Sequence, residues 1–292
     1  MLVIPKIFRA KGVGGILQAI AWRATAVKPR MLPLCIELVK ERHGLEIGGP
    51  SPLFMRKGSL PLYPHIARLD NCNFNRNTVW ENTITEGYTF KYDKNRPAGC
   101  QYVSEAANLQ GIPSNSYSFV LASHVVEHTA NPISAVKEWI RVLEPNGKLL
   151  LITPHLEGTF DHRRPITDLR HLIEDNQLET REDDKTHLAE ILKLHDLDRD
   201  WGASDFKTFK ERSERNFEFR CLHHHVFDTK LVVDMLDYTG LQILEVEPIR
   251  PFHIIVVAQK VSDGVTTENQ AFLSSTAKWR QNSPFKMDHI GE

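Results

Sequence analysis

Residues 119–153 most narrow what this 292-residue chain can become. Phe119-Val120-Leu121-Ala122-Ser123 is a continuous apolar run of strand length. Asn131-Pro132 reads as a helix start, with Asn as N-cap and Pro at the first helical position. Ile133, Val136, Ile140 and Leu143 then recur at helical spacing, and Glu144-Pro145-Asn146-Gly147 stops the helix. Residues 148–153 (KLLLIT) form a second apolar strand. Two strands buried on both faces and joined by a helix mark a parallel βαβ crossover, so the fold class is α/β.

The same alternation can be followed outward. Residues 45–48 predict a short strand that runs into the Gly/Pro turn Gly48-Gly49-Pro50-Ser51-Pro52. Residues 66–70 predict a second strand ending in Asp70, residues 71–99 a polar, turn-rich connection, and residues 101–103 a third short strand. A helix is expected over 229–239, closed by Gly240. Strands are expected over 241–247 and 253–259. The link between them is too short for a crossover, so they must pair antiparallel. The domain therefore spans 43–260, interrupted by a polar insert over 155–228 and followed by a loosely held tail over 261–292.

Composition excludes several classes. Thirty-six Lys and Arg oppose 37 Asp and Glu, which leaves no overall basic field for nucleic acid. The four cysteines are scattered without a CxxC, as expected in a reducing, cytoplasmic compartment. No run of about 18 apolar residues occurs, so no spanning helix is expected. Residues 1–42 are different: eight basic residues and two acidic ones make a basic helical arm. Such an arm either packs on the main domain or touches an anionic membrane surface. Ala24-Thr25-Ala26 is similar to a cleavage box, but glycines dilute the preceding stretch and Arg23 adjoins the box, so no signal peptide is expected.

Ligands of a parallel sheet bind at the carboxyl ends of its strands, where strand order reverses. The turn at 48–52 is such an end, and its glycines let the backbone approach a ligand. Asp70, closing the next strand, stands where an acid would accept hydrogen bonds from ribose hydroxyls. The segment 103–154 is more specific. It orders Glu105-Ala106, Leu109, the strand 119–123, Glu127-His128, Pro145-Asn146-Gly147 and an apolar strand ending in Pro154. This succession resembles the class I S-adenosylmethionine-dependent methyltransferases, in particular the small-molecule branch called type 11. Glu46-Ile47-Gly48-Gly49 matches that family's acid-x-Gly-x-Gly only in part, with Pro50 where a glycine is usual, and Ser118 stands in place of an Asp.

The resemblance covers 43–154 and 229–260. It implies a doubly wound, mostly parallel seven-stranded sheet with an antiparallel final strand and a helical insert after the fifth strand. It implies S-adenosylmethionine as cofactor, held by Glu46, Gly48, Gly49, Asp70, Glu105, Ala106, Ser123 and His124. Gly48 and Gly49 would border its methionine portion, Asp70 its ribose, Glu105 and Ala106 its adenine, and Ser123 and His124 its sulfonium. Glu127-His128 is read as capping and packing the following helix. The runner-up is a methyltransferase-like module that binds the cofactor without turnover, motivated by Pro50 and Pro52. A nicotinamide enzyme is disfavoured because Gly-x-Gly-x-x-Gly is absent.

The insert holds eight of the chain's 14 histidines and emerges at the ligand face of the sheet. Methyl transfer to a hydroxyl requires alignment and removal of one proton, a role suited to a neutral imidazole. His155, directly after the fifth strand, and His162, beside Asp161, are the expected bases for a small-molecule or glycan acceptor methylated at oxygen. Arg163-Arg164 could bind an anionic acceptor or form salt bridges within the acidic insert. On a helix, Asp183, Asp184 and His187 would share one face, with His223-His224-His225 as further ligands. Three adjacent residues of an extended strand alternate sides and cannot all reach one ion, so no metal is assigned.

Overall fold

The computed structural model describes residues 27–78, 83–200, 202–262 and 264–290. Each strand of the βαβ unit sends alternate residues to opposite sides. In β5 (Tyr117–Ser123) Val120 and Ala122 enter one core, while Phe119 and Leu121 enter the other. In β6 (Leu143–Pro154) Leu149 and Leu151 follow the first pair and Leu150 and Ile152 the second. Both faces are covered, which explains why neither strand alternates apolar with polar.

The sheet has eight strands in the order β3-β4-β2-β1-β5-β6-β8-β7. The others are β1 (His43–Ile47), β2 (Arg68–Asn73), β3 (Gly87–Phe90), β4 (Gly99–Val103), β7 (Leu241–Ile249) and β8 (His253–Lys260). The strands β4, β2, β1, β5 and β6 run parallel. β8 runs antiparallel to both β6 and β7, as expected from the short link. The eighth strand, β3, lies in the stretch read as turns. It is a four-residue antiparallel edge whose Tyr88 is exposed, so it carries little of the apolar pattern that announces a strand. Strand order reverses between β1 and β5.

Helix α1 (Leu32–Val39) packs on one face; α2 (Pro132–Val142) and, further along, α7 (Thr229–Tyr238) pack on the other. The α2 start is the one expected: Asn131 accepts a hydrogen bond from Ser134 N at 3.0 Å and Pro132 follows it. Asp228 caps α7 through Leu231 N at 2.7 Å, and Gly240 beyond its end has φ +79°. The described part of the basic arm is docked. Glu247 receives the amides of Arg30 and Met31, both at 2.8 Å. The expected membrane contact rests largely on residues 1–26, which lie outside the described residues. No helix among the described residues is long and apolar enough to cross a membrane.

The insert forms α3 (Leu169–Gln177), α4 (Leu188–Leu194), α5 (Phe206–Glu214) and the single turn α6 (Asn216–Phe219). Its own core is small: Ile191, Ala203, Phe209 and Leu222. The segment after β8 is held more firmly than expected. It carries α8 (Gln270–Leu273) and α9 (Lys278–Asn282), buries Trp279 and Phe285, and sends Asp288 to the start of α7, where Thr229 donates its hydroxyl at 2.7 Å.

Candidate active site

A cavity of about 1110 Å³ opens over the carboxyl ends of β1, β2, β4 and β5, at the point where strand order reverses. Gly48, Ser51, Asn73, Glu105, Ala106, Ser123, His124, Arg220, Phe252 and His253 are in its wall.

The turn after β1 is shaped by close approach. Gly48 has φ +75°, and a Cβ there would stand 2.8 Å from the Val125 side chain. A Cβ on Gly49 would stand 2.3 Å from the Glu46 carboxyl carbon. Asn71 accepts from Gly49 N at 2.9 Å, and Asn71 and Asn73 both donate to Gly49 O at 3.2 Å. Glu46 lies beneath the turn rather than in the cavity wall. Its carboxyl accepts from the Tyr63 hydroxyl at 2.8–2.9 Å and from Ser51 N at 3.0 Å. Burial outweighs both donors and pushes its pKa up to about 8.

Asp70 is a correction. β2 continues to Asn73, so Asp70 lies within the strand, three residues short of the ligand end, and takes no part in the cavity wall. Its carboxylate is buried and receives Cys100 N at 2.7 Å and the Tyr117 hydroxyl at 3.0 Å. His43 Nε2 is 2.9 Å away and Arg68 Nε 3.2 Å. Burial raises its pKa, but hydrogen bonds from His43 and Cys100 outweigh that and hold it below the ordinary range. Asn73 is the β2 residue at the place expected for a ribose acid.

Glu105 and Ala106 line the cavity as expected, but the Glu105 carboxylate is already engaged. Arg220 donates to both its oxygens, at 3.1 and 2.7 Å, and also reaches Glu182 at 2.9 Å. The guanidinium lies 5.0 Å from the Phe74 ring centre.

Ser123 and His124 stand at the top of β5. Ser51 Oγ donates to Ser123 Oγ at 3.2 Å. His124 has φ +56°, and its amide donates to Ile152 O at 2.8 Å, which ties the turn to β6. Its imidazole joins two residues not singled out from the sequence as functional. His124 Nε2 is 3.0 Å from His253 Nδ1, and His124 Nδ1 is 3.4 Å from Glu127 Oε1. Burial raises the Glu127 pKa, but the neighbouring histidines, His124 first, outweigh burial and lower it. Burial, and then His124, keep His253 well below the ordinary imidazole range. A legible signal for His253 existed. In an antiparallel β8 the first residue must lie at the carboxyl end of β6, and His253 pairs with Pro154.

Neither expected base reaches the cavity. His155 is fully buried, stacked on Phe285 at 4.0 Å. Its Nε2 is 3.3 Å from Asp288, which seats the C-terminal segment, and its Nδ1 accepts from Glu157 N at 3.2 Å, which caps the turn that follows, so neither ring nitrogen is free. His162 bonds Asp196 at 2.8 Å within the insert, beside Arg163. Arg164 is buried in salt bridges to Asp161 and Glu190.

Room, position and order fit S-adenosylmethionine, with close-packed glycine backbone after β1 and an asparagine in place of the ribose acid. Residues 72–151 match a family model described as a methyltransferase domain, of type 11. No curated protein matches the chain. A methyltransferase structure from Aquifex aeolicus aligns with 82% of this chain and 93% of its own, at 13% identity and TM-score 0.43. One from Methanosarcina mazei aligns with 79% and 98%, at 17% identity and TM-score 0.44. One from Mesorhizobium loti aligns with 78% and 95%, at 12% identity and TM-score 0.46. The matched residues run from β2 to β6 and build the heart of the sheet, so this segment is similar to a methyltransferase domain, and S-adenosylmethionine is the cofactor expected for it.

Proposed function

We propose that the chain methylates an oxygen of a small-molecule or glycan acceptor, and that His253, backed by His124 and Glu127, takes the acceptor's proton. The observation that carries this reading is the Glu127–His124–His253 chain ending at the cavity wall. Glu127 Oε1 has no other hydrogen-bond partner among the described residues and stands 3.4 Å from His124 Nδ1, so a proton on Nδ1 is the tautomer that serves the ionised carboxylate. His124 Nε2 is then a lone pair that accepts from His253 Nδ1–H, which leaves the His253 Nε2 lone pair at the free end. As the acceptor oxygen bonds the methyl group, its proton passes to that lone pair.

S-adenosylmethionine supplies an already activated methyl group when bound. The protein's part is alignment and proton uptake. Gly48 and Ser123 border the donor end, Ala106 the adenine end, and the Asn73 amide replaces Asp70 towards the ribose, while Gly49 lies outside the cavity wall against Glu46. Phe252 beside His253 gives the acceptor region an apolar wall.

The test is a screen with methyl-labelled S-adenosylmethionine against hydroxyl-bearing small molecules and glycans. His253→Ala and His124→Ala should each lower turnover about 10²- to 10⁴-fold, with unchanged affinity for S-adenosylhomocysteine by titration calorimetry. Full turnover in both variants overturns the base assignment. Methylation confined to amines overturns the oxygen reading, and cofactor binding with no turnover on any acceptor returns the chain to a binding module.

A further inference from the structure

We propose that the insert holds a divalent transition-metal site of zinc type, formed by His171, His187, His225 and Asp175. One ring nitrogen of each histidine lies within 4.8 Å of the other two. His171 Nε2 and His187 Nε2 are 3.0 Å apart. Asp175 Oδ2 is 3.3 Å from His171 Nε2 and 3.5 Å from the far nitrogen of the His225 ring, Nε2. Three histidines converge from separate segments, with Asp175 beside the first: α3 supplies His171 and Asp175 one turn apart, the residue before α4 supplies His187, and the bend ahead of α7 supplies His225.

Without an ion this cluster is poorly satisfied. Asp175 Oδ2 and His225 Nδ1 are buried and have no hydrogen-bond partner. Two ring nitrogens 3.0 Å apart must share one proton. A cation about 2.0–2.2 Å from each donor would bring donors about 3.3 Å apart in a tetrahedron, close to the 3.0 Å between His171 Nε2 and His187 Nε2. Three imidazoles and one carboxylate match zinc rather than magnesium or calcium. His225 Nε2 donates to Ala130 O at 3.2 Å, which fixes the ring and leaves the unpartnered Nδ1 as the ligand atom.

The site differs from the set the sequence suggested. Asp183 and Asp184 lie in a turn, not on a helix with His187, and Asp184 is occupied by Thr186. His223 turns to Asp161 and His224 to Asn216, so only the third member of the triplet takes part. Because Ala130 precedes the Asn131 cap of α2, the ion would fasten the insert to the loop that carries Glu127.

The experiment uses the untagged full chain, loaded with zinc, passed through gel filtration and measured by elemental analysis. About one zinc per chain is expected, with visible d–d bands of tetrahedral cobalt after cobalt exchange. His187→Ala, at the partly exposed helix start, should lose the metal at least tenfold while far-ultraviolet circular dichroism is unchanged. Asp175→Asn should alter the cobalt spectrum. A chain that retains no zinc, or a His187→Ala chain that retains all of it with an unchanged cobalt spectrum, overturns the site.

Discussion

Two regions of this molecule bury carboxyl groups in opposite ways. Beneath the glycine turn, Glu46 has only neutral donors, the Tyr63 hydroxyl and the Ser51 amide, and burial keeps its proton on up to about pH 8. In the insert, Asp161 is as deeply buried but is flanked by Arg164 and His223. Burial raises the Asp161 pKa, yet these cations outweigh it and hold the group below the ordinary range. The same Asp161 reverses the effect of burial on His223, which is raised. The difference follows from what each region has to be held together by. The sheet rests on two extensive apolar layers, so a buried carboxyl such as Glu46 can stay neutral there, and Asp70 is ionised in β2 only beside His43 and Arg68. The insert has four buried apolar residues in its own core and relies on paired charges.

Breaking an insert pair should give the largest effect. Arg164 donates to Asp161 at 2.9 Å, Glu190 at 2.8 Å, and the carbonyls of His223 and His224 at 2.8 and 3.1 Å. Arg164→Met leaves Asp161 underpaired and both carbonyls unsatisfied, and should cost about 3–5 kcal/mol. Hydrogen exchange should show the loss in α3 to α6 while β5 and β6 stay protected. Equal loss in β5 and β6 would mean that insert and sheet are one cooperative unit, and the contrast would fail.

The second test concerns a charged group inside the sheet. Asp70→Asn removes the charge facing His43 and Arg68 and leaves a single oxygen, which can stay with Cys100 N or with the Tyr117 hydroxyl but not with both. Stability should fall by about 1–3 kcal/mol, read from urea unfolding. Affinity for S-adenosylhomocysteine should not change, because Asp70 is outside the cavity wall. A parallel loss of affinity would restore Asp70 as the ribose ligand.

These outcomes bear on what sequence could and could not tell. The βαβ unit was legible because burial on both faces writes an uninterrupted apolar run at 119–123 and at 148–153, and because Asn131-Pro132 marks a helix start chemically. The antiparallel β7–β8 pair was legible from the shortness of its link. Strand β3 was not, since an edge strand with an exposed Tyr88 has no apolar period. Asp70 misled because strand length fixes which residue reaches the ligand end, and β2 runs three residues further than its apolar start suggests. His155 and His162 misled for another reason. Chain proximity to the ligand face says nothing of side-chain direction, and Asp288 and Asp196 had already engaged them. His253 needed a tertiary fact, the alignment of an antiparallel strand with β6.

The most gradual effect would sharpen the comparison most. Folded Glu46 keeps its proton up to about pH 8, whereas an unfolded glutamate releases it near the ordinary value of 4.5. Between those values the folded state binds more protons than the unfolded state, so this group's stabilisation is full below about 4.5 and is lost as pH rises to about 8. Glu46→Gln keeps an acceptor for Tyr63 and Ser51 and removes the titration. The stability of the variant relative to wild type should therefore rise with pH across that interval, by up to about 1.4 kcal/mol per pH unit, in paired thermal melts. If wild type instead gains on the variant as pH rises, the two neutral donors suffice to hold Glu46 ionised. The sheet would then tolerate a buried charge without a cation, and the rule that separates it from the insert would be the number of hydrogen bonds received rather than the presence of Arg or His.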